Sequence, residues 1–143
     1  EFRPGIAASI AFLCGPAGRF PLLPCRQHVS ADGRFAYQGG SLPLPAPLGR
    51  RAEALGCRTT AALPDARGYL GIGLVLGDSP DCSDDAVIEV NPRLTTSYVG
   101  LRAAVEPGVN LAAAMLDIAS GRPPRLSFQP LRLEFDPSGV VSK

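Results

Sequence analysis

Glu89, Asn91 and Arg93 occupy alternate positions in the stretch VIEVNPRLTTSYVGL, residues 87–101. On an extended strand, side chains two residues apart share a face and stand about 7 Å apart along the chain. A carboxylate and a carboxamide at that spacing offer two hard oxygen donors. Mg²⁺ uses one or two protein carboxylates and fills its remaining positions with water and phosphate oxygens, so Glu89 and Asn91 suit a magnesium ion that arrives with a phosphorylated ligand. Pro92 removes a ladder donor and fixes the direction of the chain. Arg93 then brings a planar guanidinium fork to the same neighbourhood, able to grip a carboxylate or phosphate.

These groups need a rigid support. The segment GYLGIGLVLGD (68–78) alternates strictly: Leu70, Ile72, Leu74 and Leu76 point one way, and Gly71, Gly73 and Val75 the other. That pattern predicts a strand with one core face and one face of nearly bare backbone, against which a ligand can lie. SPDCSDD (79–85) reads as a solvated acidic hairpin loop, and AVIEVN (86–91) as the returning partner strand, with Ile88 and Val90 turned to the core. Upstream, IAASIAFLC (6–14) predicts a buried strand, GPAG (15–18) a turn, and FPLLPCRQHV (20–29) a second strand, edge or bulged because of its prolines. FAYQGG (35–40) is a further short strand, and SLPLPAPL (41–48) a proline-rich connector.

Helical spacing of Leu48, Ala52, Leu55 and Ala62 predicts an amphipathic helix from about Pro47 to Leu63, weakened by Gly56 and ended by Pro64. A short helix is expected over 95–105. A clearer one runs over 110–121, with Asn110 as its N-cap and Gly121 as its stop. The tail, 125–139, holds two short alternating stretches suited to covering a sheet edge. The expected fold is α+β: an antiparallel sheet with helices mainly on one face, in a single domain spanning 1–143.

Composition narrows the function. Fourteen Lys and Arg against thirteen Asp and Glu leave a net charge of +1, so no global field draws the chain to nucleic acid or to an anionic membrane. No apolar run approaches a membrane span, and no basic-then-apolar leader is expected. Cys14, Cys25, Cys57 and Cys82 lack metal-site spacing, and the apolar content of 45% builds a core without disulfides; reduced thiols in a cytoplasmic setting are expected. Cys25 has only His28 nearby as a base, and Ser97 lacks a G-x-S-x-G frame, so neither a cysteine nor a serine hydrolase is supported. The single histidine, His28, reads as structural, and Arg26 and Gln27 as either an exposed strand face or part of the site.

EVNPRLTTSYVGL (89–101) resembles the metal-binding motif of the ATP-grasp superfamily of ATP-dependent carboxylate–amine ligases, most closely the branch of tyramine–glutamate ligase-like proteins. EFRPG (1–5) is similar to that superfamily's hinge, and the glycine-rich strand and FAYQGG follow in the expected order, so that the resemblance covers about residues 1–121. It implies the C-terminal half of the fold, with ATP and Mg²⁺ as cofactors, a carboxylate and an amine as substrates, and an acyl phosphate between them. Glu89 and Asn91 would be metal ligands, and Arg93 would hold the transferring phosphoryl group or the acyl phosphate. Glu1, Phe2 and Arg3 would bind the nucleotide beside adenine, while Thr95, Thr96 and Ser97 would line the acceptor side.

The chain departs from the family pattern in three ways. Gly73 stands where the family carries a further acidic ligand, Ala7 and Ala8 stand where an acid holds the ribose, and the lysine-bearing first half of the ATP clamp is missing. The expectation is therefore a half that is inactive by itself and works with an N-terminal half. The alternative is a degenerate, non-catalytic module that keeps the fold and at most binds a ligand.

Overall fold

A computed structural model describes residues 3–143. The described chain folds as an antiparallel sheet with three helices. Its strands are β1 (Ile6–Gly15), β2 (Gly18–Pro21), β3 (Cys25–Val29), β4 (Tyr37–Leu42), β5 (Gly68–Leu76), β6 (Ala86–Asn91), β7 (Leu133–Phe135) and β8 (Val141–Ser142). The helices are α1 (Ala46–Ala61), α2 (Ser97–Ala104) and α3 (Leu111–Ala119). The strand order is β6-β5-β1-β3-β4-β7-β8, with β2 also paired to β1. The expected α+β class holds, and two of the three helices share one face.

β1 is the axis of the sheet. Along one edge it pairs with β5 over its whole length, from Ile6 opposite Leu76 to Cys14 opposite Gly68. Its other edge is shared by β2, opposite Phe12 to Gly15, and β3, opposite Ala8 and Ser9. The sequence reading had a single strand over 20–29; the structure splits it at Leu22–Pro24. Pro21 and Pro24 carry no N–H for the ladder, so the chain steps away between them, and the Pro24 carbonyl turns to accept from Leu44 N at 2.9 Å.

Alternation along β1 and β5 creates two separate cores. Ile10, Phe12, Leu70, Ile72, Leu74 and Leu76 face α1. Helix α1 approaches closely because Gly56 presents no side chain there: a Cβ on it would stand 2.6 Å from Phe12 Cε2. Gly56 is thus a contact point with the sheet rather than merely a weak spot in the helix. On the opposite face Ala11, Leu13 and Tyr69 are covered by Leu101 and Ala104 of α2 and by Leu111, Ala114 and Ile118 of α3. Asn110 caps α3 as expected, accepting from the backbone N–H groups of Ala112 and Ala113 at 2.9 and 3.1 Å. Helices α2 and α3 cover only one end of their face. The end carrying Ala7, Ser9, Gly73 and Val75 is left open.

Candidate functional site

The open end of the sheet is where the polar strand arrives. β6 pairs with β5 so that Glu89 lies opposite Gly73 and Asn91 opposite Gly71, on the face shared with Ser9 of β1. The register slips by one residue between Gly73 and Leu74, which makes Ile88 an extra residue on the β6 side. The expectation that Ile88 turns to the core is therefore corrected, since it is 57% exposed; Val90, opposite Ile72, lies on the α1 face as expected but at the sheet's edge, where it is 37% exposed. β6 is the sheet's edge strand, the bulge rotates Ile88 out of the ladder, and Ile88 becomes part of a cavity wall.

Two adjoining cavities lie over this floor. The larger, about 460 Å³, is mostly apolar and is walled by Arg3, Ala7, Val75 and Ile88, with Gln27 and Glu89 as polar groups. The second, about 340 Å³, is more polar and takes in Ser9, Tyr37, Thr96 and Ser97. Gln27, Val29, Phe35 and Glu89 belong to both. Such volumes suit a small-molecule ligand, with an apolar end for a flat or greasy group and a polar end for its hydrogen-bonding part. Gln27 reaches this face because Cys25, Gln27 and Val29 alternate with Arg26 and His28, which point to the other side; of the two residues considered for the site, only Gln27 lines it.

The floor is less bare than its glycines suggest. A Cβ on Gly73 would stand 2.8 Å from Glu89 Cγ, and one on Gly71 would meet the Thr95 side chain. Thr95 is fixed there by Tyr69 Oη at 3.2 Å and Ser97 Oγ at 2.9 Å. The 92–96 loop is thereby tied down at the side of the site. Arg93 lies on that loop, exposed, with Nη1 donating to the Leu94 carbonyl at 3.1 Å, and it is not part of either cavity wall. Asn91 is half-buried two residues along from Glu89. Arg3 and Glu89 meet at one cavity; Glu1 and Phe2, expected at the hinge, lie outside the described residues.

Burial sets the protonation of two groups near the site. The Tyr37 hydroxyl is pushed up to about 12, first by burial and then by nearby Cys25, so it stays a hydrogen-bond donor. The Cys25 thiol, buried beneath the sheet face, is likewise pushed up to about 12. A thiol held protonated so far above neutral pH is no nucleophile. All four cysteines are free.

The hairpin tip contains a group that the sequence reading placed in solvent. The Asp85 side chain is only 3% exposed; it accepts from Arg51 of α1 through both carboxylate oxygens and from Gly77 N at 3.0 Å. Its carboxylate staples the β5–β6 hairpin to α1 and is committed to that task. Among the described residues, no three His, Cys, Asp or Glu side chains gather to hold a metal ion. The donors on this face, Glu89 and Asn91, fit a cation that keeps water and phosphate oxygens as its other ligands, and do not fit one caged by protein alone.

Among the described residues, no helix is long and apolar enough to cross a membrane. Similar folds occur in several solved structures. N5-carboxyaminoimidazole ribonucleotide synthetase from Thermus thermophilus is 17% identical with a TM-score of 0.71, over 94% of this chain and 36% of that one. An ATP-grasp superfamily protein from Archaeoglobus fulgidus is 24% identical, with a TM-score of 0.69, over 95% of this chain and 40% of that one. L-amino acid ligase from Bacillus licheniformis is 20% identical, with a TM-score of 0.64, over 82% and 30%. At these identities the likeness is one of fold, and the chain spans well under half the length of each of these proteins. No curated protein matches the sequence. Residues 1–97, the larger part of the chain, match the profile of the ATP-grasp domain. With its antiparallel sheet and its glycine-floored cavities, the chain belongs to the ATP-grasp family.

Proposed function

We propose that this chain is the C-terminal, nucleotide- and metal-binding half of a cytoplasmic ATP-dependent ligase that joins a carboxylate to an amine, of the tyramine–glutamate ligase-like branch. The observation that carries the reading is the position of Glu89: it opens onto both cavities and shares its strand face with Asn91. The apolar cavity beside Arg3 takes the nucleobase, and the triphosphate runs over Gly73 toward Glu89. Glu89 and Asn91 would hold a magnesium ion, which would supply charge neutralisation for the nucleotide's phosphates.

In this reading the γ-phosphoryl group passes to the substrate carboxylate. The amine then attacks the acyl carbon and phosphate leaves. Little covalent chemistry is asked of the protein; positioning and electrostatic stabilisation do most of it. Arg93 grips the anionic group being transferred. Its present acceptor is the neutral Leu94 carbonyl; a phosphate brings a full opposite charge and two oxygens to match the guanidinium fork, and so competes with that carbonyl. Thr96 and Ser97, in the polar cavity, face the acceptor. The remaining clamp comes from an N-terminal half of the same polypeptide.

A second reading has its own support: with Gly73 in place of an acid, Glu89 is left among the described residues without a carboxylate opposite it on β5, as in a non-catalytic binding module. Thermal unfolding of the longer polypeptide with MgATP separates the two. At a hundred times the dissociation constant, bound ligand adds about 2.7 kcal/mol. In the ligase, Glu89→Gln removes both that protection and amide formation while the apo protein melts as before. Unchanged turnover in Glu89→Gln refutes the assignment.

A further inference from the structure

Phe35 departs from what its sequence position requires. It has a φ of +52°, in the left-handed region that side-chain-bearing residues seldom enter, and the residue is 55% exposed. It is nevertheless built into place. The turn beneath it is closed by Ser30, whose N–H donates to the Ala36 carbonyl and whose Oγ accepts from Ala36 N, both at 2.9 Å. Asp32 braces the same turn, accepting from Ser30 Oγ at 2.5 Å and Arg34 N at 3.1 Å. Asn, Asp or Gly would suit that backbone better than phenylalanine. Strain retained in a braced turn, with an aromatic ring exposed at its tip, is a pattern found where a side chain is aimed at a ligand.

The ring lines both cavities, and across the apolar one it faces a wall of aliphatic side chains, Ala7, Val75 and Ile88 among them. We infer that Phe35 is a specificity-determining residue that stacks on the planar ring of the bound nucleotide's base. This rests on the nucleotide reading above and adds what that reading lacks, an aromatic platform on the β3–β4 turn. Stacking on a flat π-face discriminates between a base and no base, and works for any base able to enter the cavity.

The test uses the longer polypeptide, which supplies the rest of the ATP clamp, with ATP and, as a control, ribose 5-triphosphate, which has the phosphates and no base. NMR titration reads affinity from the amide shifts of Ala7 and Val75 and ring stacking from the upfield movement of the base protons. Wild type and Phe35→Tyr shift the base protons upfield. Phe35→Leu, which keeps an apolar side chain, loses that shift and binds ATP about tenfold more weakly, with ribose 5-triphosphate unaffected. Phe35→Asn, which suits the left-handed backbone, also loses the shift yet melts no lower than wild type. Should wild type bind ATP and Phe35→Leu match it in affinity and base-proton shift, the inference falls and the nucleotide reading stands. If Phe35→Leu weakens both ligands equally, the ring is a general wall and the inference falls too. Wild type failing to bind ATP at millimolar concentration overturns both.

Discussion

Glu89 lies across the strand pair from Gly73, and its side chain occupies the space a side chain at 73 would need: a Cβ there would stand 2.8 Å from Glu89 Cγ. The three nearest atoms all belong to that flexible, exposed side chain, so substitution at 73 moves Glu89 rather than the backbone. Gly73→Ala should change stability by less than about 1 kcal/mol while displacing Glu89 and weakening Mg²⁺-dependent ATP binding. Gly73→Asp adds a second carboxylate and should tighten Mg²⁺ binding, as read by calorimetric titration. Weaker binding in Gly73→Asp would show that the pocket no longer accommodates the second acid.

Two glycines in α1 should respond in opposite directions. Alanine gains about 1 kcal/mol over glycine in a helix interior. At Gly49 the nearest atom to an added Cβ is 3.7 Å away, so Gly49→Ala should realise most of that gain. At Gly56 the Cβ would meet Phe12 Cε2 at 2.6 Å and Ile10 Cγ2 at 2.9 Å, both in a packed core. Overpacking costs about 1–3 kcal/mol and exceeds the propensity gain. Gly56→Ala should be the less stable in urea unfolding, and a stabilised Gly56→Ala would contradict the close helix–sheet contact.

The Arg51–Asp85 pair predicts a large loss from a small change. Asp85→Ala leaves the Arg51 guanidinium, 22% exposed, without its carboxylate and the Gly77 N–H without its acceptor. Removing one partner of a buried pair costs about 3–5 kcal/mol, and the partial exposure of Arg51 places this case at or below the lower end. Replacing exposed Asp81 by Ala in the same loop should cost under about 0.5 kcal/mol. Equal melting temperatures for the two variants would remove the staple.

Cys25 predicts an alkaline weakness. Its thiol is raised from 9.0 to about 12 by burial, so between those pH values the unfolded chain releases a proton that the folded chain keeps. The contribution is fully present below pH 9 and is lost as pH rises toward 12. Tyr37, raised from 10.0 to about 12, adds to it over the upper part of that window. Urea unfolding at pH 7 and pH 10.5 should show a steeper decline for wild type than for Cys25→Ala, whatever their relative stability at pH 7. Parallel declines would show that the thiol ionises equally in both states.

The sequence showed most of the sheet because its signals are local. Alternation over 68–76 fixed both faces of β5, and the Asn110 cap and Gly121 stop bracketed α3 within a residue or two. Glu89 and Asn91 could be assigned to one face because the strand period is two. What the sequence hid depends on partners distant in the chain. The β6 bulge, which puts Ile88 in the cavity wall, appears only once β6 is laid against β5. Asp85 looks like its acidic neighbours until Arg51 arrives from another element. Phe35 was expected to open a strand over 35–40, but the strand begins at Tyr37 and Phe35 sits in the turn before it, because a phenylalanine in a left-handed turn is what local propensity argues against.

The strand order sets the sequence of events during synthesis. Of the described strands β1 is made before the others and lies at the centre, yet its β5 edge stays unpaired until the whole of α1 has been made, and β4 stays open until β7 emerges. Closing such distant pairs pays chain entropy before contacts repay it, which favours slow folding. Meanwhile the apolar run of β1 presents a bare edge to any other nascent strand. The pairing of β5 with β1 is therefore what takes that apolar edge out of reach of other strands, and it waits on α1 being made.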